Sequence, residues 1–124
     1  MSGAPRFVLD LVHGIAALEQ SLAEAEAEWR PEPAPITCLM GAAGRAFAEH
    51  SDVFSSAEIT IVFERLETIF RDGEQAEKDA AATGFLEAVA SVLDRAPERR
   101  WILEHAGSEA RHYLVEWDRF CGIV

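Results

Sequence analysis

The stretch DAAATGFLEAV, Asp79 to Val89, sets three alanines and a threonine before a glycine and follows it at once with bulky apolar residues. A glycine inside a helix costs about 1 kcal/mol relative to alanine, so a helix carrying Gly84 there needs something to offset it. Ala76, Ala80, Ala81, Thr83 and Gly84 would give such a helix a flat, side-chain-poor patch, and Phe85 and Leu86 stand beside it to lock a neighbour in place. Close approach of a second helix is the expected compensation. The nearest candidate in sequence is the segment just before it, which would make the two a central antiparallel hairpin.

That preceding segment has a clear helical signature. Ser55 and Glu58 form a capping-box pattern, and Ile59, Val62, Phe63, Leu66, Ile69 and Phe70 recur at helical spacing. EITIVF taken alone would suit a strand, but the period through Phe70 is helical. The expected helix covers 56–71, Asp72 and Gly73 supply the left-handed stop of a helix C-terminus, and the glycine-bearing helix covers 74–95.

Towards the N-terminus, Phe7, Leu11, Ile15, Leu18, Leu22 and Ala25 share one face of an expected helix over 7–29. The prolines of RPEPAPI end it and make a stiff connector over 31–35. A helix over 36–50 follows, weakened by Gly41 and Gly44, whose GxxG spacing carries no message of its own. Towards the C-terminus, Pro97 suits the first turn of a short segment, PERRWILEHA. Gly107 and Ser108 divide it from a last helix over 109–120 with a stripe of Tyr113, Leu114, Trp117 and Phe120. The expectation is an all-α fold, a single compact bundle of about five or six helices spanning 1–124 as one domain.

Charge narrows the partners. The chain has 22 acidic and 11 basic residues, a formal net charge of −11. Such a surface repels phosphate backbones and anionic lipid, so neither nucleic acid nor a membrane is an expected partner; it attracts a basic protein. No apolar run approaches the length of a membrane span, and Asp10 and His13 interrupt the one N-terminal stretch that could serve as a signal peptide. Cys38 and Cys121 stand alone, without CxxC spacing, and read as reduced, packed residues. Alanine and arginine richness with a single lysine, Lys78, adds to the expectation of a bacterial cytoplasmic protein.

Chemistry is harder to find. His105, Glu109 and His112 have metal-ligand spacing, but Gly107 and Ser108 break the helix that would align them. His13 reads as a boundary residue beside an apolar face, and His50 as a cation at a helix C-terminus. Neither cysteine has a local base, phosphate-loop spacing is absent, and the carboxylate pairs Glu64–Glu67 and Glu74–Glu77 read as solvated helix faces. No catalytic residue, metal or cofactor is expected. What remains is surface. Glu24, Glu28 and Glu32 surround Trp29 beside the proline connector, while Glu49 and Asp52 flank the next break. An aromatic ring among carboxylates makes a docking patch, the ring supplying buried area and the acids steering a basic partner. The alternative for Trp29 is a helix-end plug, and Trp101 and Trp117 read as core or helix-contact residues.

The segment FERLETIFRDGEQAEKDAAATGFLEAV, Phe63 to Val89, resembles a pattern in small bacterial helical domains, among them immunity proteins encoded beside polymorphic or contact-dependent toxins. The resemblance covers about a fifth of the chain and lends no catalytic residues. It implies an inhibitor that covers the basic groove of a cognate toxin without chemistry. The second expectation is an interaction or scaffold domain, including a homodimer through an apolar helix face, and the third is a small-molecule or metal-dependent enzyme using the His105 region.

Overall fold

A computed structural model describes residues 3–120. Seven α-helices account for most of them: α1 (Arg6–Val12), α2 (Ala16–Trp29), α3 (Ile36–Glu49), α4 (Ser56–Asp72), α5 (Gln75–Asp79), α6 (Glu87–Arg95) and α7 (Ser108–Phe120). A π-helical segment, Ala80–Leu86, joins α5 to α6 without a break, and 3-10 segments cover Ser51–Val53 and Pro97–His105. The fold is all-helical, with two departures from the expected helix count. The segment over 7–29 is two helices, because Gly14 adopts φ 78°, a left-handed conformation that ends α1. Arg65 on α4 closes this break by donating from its Nη1 to the carbonyls of Leu11 and His13 at 3.0 and 2.8 Å. His13 is exposed at the break instead of lying within a helix.

The second departure lies in the stretch that opened the sequence analysis. A π-helix takes more residues per turn than an α-helix. Ala80, Ala81, Gly84, Phe85 and Leu86 are thereby all turned inward. Thr83 lies on the outside and donates its hydroxyl to the Asp79 carbonyl at 2.7 Å.

The flat patch packs on α3, not on α4, so the expected hairpin partner is corrected. A Cβ added at Gly84 would lie 2.8 Å from Met40 Cβ and 2.9 Å from the Thr37 carbonyl oxygen; one added at Gly44 would overlap the Phe85 carbonyl. Two backbones therefore approach each other through a glycine from each side. Thr37 and Met40 near the start of α3 face Gly84, while Ser51 and Asp52 just beyond its end are held by Arg99 from beyond α6. These two elements consequently run in the same direction. α4 meets the glycine-bearing helix at α5 and the π segment and rests otherwise on α1, α7 and the 3-10 segment Pro97–His105.

One apolar core runs through the described residues, and Phe47 is its hub. Its ring is fully buried and meets Phe54, Phe63 and Phe85 at centroid distances of 6.0, 5.4 and 5.7 Å. These rings come from the loop before α4, α4 itself and the π segment, so α3 touches each of them through a single side chain.

Two caps fix the ends of α4 and α7. Ser55 and Glu58 form the expected capping box at 3.1 and 2.9 Å. Glu67, read from sequence as part of a solvated pair, is half-buried and accepts from the amides of Glu109 and Ala110 at 2.9 and 3.2 Å. A carboxylate from one helix thus caps the positive end of another. Glu67→Gln keeps the shape and removes the charge, and should cost about 1 kcal/mol in a denaturant melt. No helix among the described residues is long and apolar enough to cross a membrane.

Candidate functional site

A cleft of about 610 Å³ opens between α2, α3 and α6. Its floor is shallow in side chain and therefore deep in space: Ala25 on α2, Gly41, Ala42 and Ala46 on α3, and Ala88 on α6. Helical spacing populates the walls. Glu24 and Glu28, four residues apart, project from α2 with Trp29 at its end. Arg45 and Glu49, also four apart, project from α3, and His50 caps that helix. Arg95 projects from the last turn of α6 above Ser91.

Four of the six residues singled out from sequence, Glu24, Glu28, Trp29 and Glu49, are therefore brought together on one cleft. The other two are elsewhere. Glu32 is exposed on the proline connector, and Asp52 lies in the 3-10 turn after α3, 3.2 Å from Arg99. The Arg99 hydrogen bond, helped by a backbone amide, holds the Asp52 carboxyl below its ordinary range. Trp29 is 40% exposed, so it stands at the cleft mouth and does not plug the helix end. Cys38 is exposed on α3 and lines the cleft, which corrects the packed position expected for it; Cys121 is outside the described residues.

Sequence reading missed the arginines. Arg45 and Arg95 make the cleft two-signed, with carboxylates on α2 and α3 and guanidiniums on α3 and α6. Among the described residues no ion pair joins either arginine to a glutamate of the cleft. Arg95 reaches only the Ser91 carbonyl, at 3.3 Å, and Glu24 accepts only from Gln20 on its own helix, at 3.0 Å. The signal was present in the four-residue step from Arg45 to Glu49, but α6 joins the cleft only through the packing of α3 on the π segment.

The histidines do not gather. Thr60 Oγ1 meets His105 Nδ1 at 2.9 Å, and Trp101 lies edge-on to the same ring. His105 belongs to the 3-10 segment while Glu109 and His112 belong to α7, so the two acidic-and-basic positions share no continuous helix with it. Among the described residues no group of three or more His, Cys, Asp or Glu side chains is placed to hold a metal ion. Trp101, expected as a core or helix-contact residue, is 40% exposed and so lies outside the core, whereas Trp117 is half-buried. Comparison with protein-family models gives no match, and comparisons with curated proteins and with solved structures give none either.

Proposed function

We propose that this chain is an immunity protein, a non-catalytic inhibitor that acts in the bacterial cytoplasm by binding a cognate toxin and covering its basic groove. One observation supports the reading above the others: carboxylates from two separate helices and an exposed tryptophan edge a single open cleft. The mechanism is steric and electrostatic. Lysines or arginines of the toxin dock against Glu24 and Glu28, Trp29 supplies buried aromatic area, and Arg45 and Arg95 take up carboxylates that flank the toxin's groove. A net charge of −11 draws a basic partner from solution and raises the encounter rate.

The test is association kinetics with the toxin domain encoded beside this gene. Glu24→Lys combined with Glu28→Lys should lower the on-rate about tenfold or more at low salt and flatten its salt dependence, because steering charges act chiefly on encounter. An unchanged on-rate removes the α2 wall from the binding surface. Co-expression supplies the cellular measure: the native chain should rescue growth from that toxin domain.

A further inference from the structure

We infer that two copies of this chain meet through the face centred on the 3-10 segment Pro97–His105. Exposed apolar residues gather there. Trp101, 40% exposed, belongs to the segment, and Val115, 50% exposed, stands across a groove of about 370 Å³ between the segment and α7. Leu103 and Leu114 line the same groove. Two of the six large exposed apolar side chains among the described residues thus line this one groove.

Charge selects the occupant. The charged residues lining the groove are Arg100, Arg111, Glu104 and Asp118, two of each sign. Arg100 is bonded to Asp118 at 3.2 Å, and Arg111 donates to the Ala106 and Glu104 carbonyls at 3.0 Å each. The groove is therefore locally neutral, and both of its arginines are already engaged, on a molecule whose net charge is −11. A basic partner gains nothing from such a surface. An equally acidic molecule meets no net charge of like sign in this groove. A second copy brings the same patch, so a twofold arrangement sets the Trp101 ring of one protomer into the groove of its partner, and the reverse, burying both apolar sets at once.

This face shares no residue with the cleft between α2, α3 and α6. Sedimentation of the full chain tests it without any toxin. The expected result is a reversible monomer–dimer equilibrium with a Kd on the order of 10–100 µM, fitting a small interface. It should tighten as salt is raised, since screening weakens the repulsion between two acidic bodies. Trp101→Glu and Val115→Arg, each at an exposed position, should both weaken it about tenfold or more with unchanged melting, while Glu24→Lys with Glu28→Lys leaves it in place. A chain that stays monomeric up to about 1 mM at high salt overturns the inference. So does a dimer that both substitutions leave intact.

Discussion

Alanine at Gly44 is expected to destabilise the protein by about 3 kcal/mol, although it is the residue with the highest helix propensity placed in the middle of a helix. The Cβ would overlap the Phe85 carbonyl, a backbone group that no side-chain rotation can move aside. Relief requires α3 and the π segment to separate, and that loosens every contact along the seam. At about 4 °C per kcal/mol for a domain of this size, the melting temperature should fall by about 12 °C. Gly41 supplies the control on the same helix. A Cβ there meets only the Gly84 carbonyl oxygen at 3.8 Å, an ordinary contact. Gly41→Ala should therefore raise stability by up to about 1 kcal/mol through helix propensity. Opposite signs at two glycines three residues apart would establish the close approach; equal signs would refute it.

Phe47→Ala should cost about 3–5 kcal/mol, the range for removing a fully buried aromatic side chain. The loss exceeds simple transfer from water because Phe54, Phe63 and Phe85 all face the vacated space and belong to three different parts of the chain. Collapse to fill it would have to move α3, α4 and the π segment together, so much of the cavity should persist. Equilibrium unfolding in urea measures the effect, with Ile61→Ala at an exposed site as the reference, expected within about 0.5 kcal/mol of the native protein. A cost under about 1 kcal/mol for Phe47→Ala would mean that the rings do not form a common hub.

Features governed by neighbours in sequence were legible before the structure. The capping box at Ser55 and Glu58, the apolar period through Phe70 and the stop at Gly73 place α4 within a residue of its observed ends, although Gly73 is extended, at φ −74°, and not left-handed as expected. The prolines of 31–35 separate α2 from α3, and Pro97 opens the 3-10 segment. Each of these signals acts over a single turn. The break at Gly14 was hidden because the apolar stripe of Phe7, Leu11, Ile15 and Leu18 keeps its spacing through it, and Ile15 and Leu18 remain buried on the far side. The flatness around Gly84 was legible too, as a demand for close packing. Its partner was not, because a patch without side chains encodes a distance and says nothing of which helix fills it.

The site follows the same division. Glu24, Glu28 and Trp29 fall on one helix end and were visible as a cluster. Glu49 joins them because α2 and α3 pack together, and Arg95 joins because α6 is carried in beside α3. The two-signed character of the cleft is therefore a property of the tertiary arrangement. Glu67 makes the converse point: half of an apparently idle carboxylate pair turns out to terminate a helix that begins forty residues later.

The seam between α3 and the π segment joins stretches of chain that the whole of α4 separates. During synthesis, α3 leaves the ribosome with its glycine-lined side uncovered and must wait for residues beyond 80 to emerge before that side can close. Fragments cut within 50–79 each carry one half of the joint and lack its complement. Separately produced, neither piece should hold a native fold; mixed, they should reassemble, since the information that unites them is carried in their matching contours.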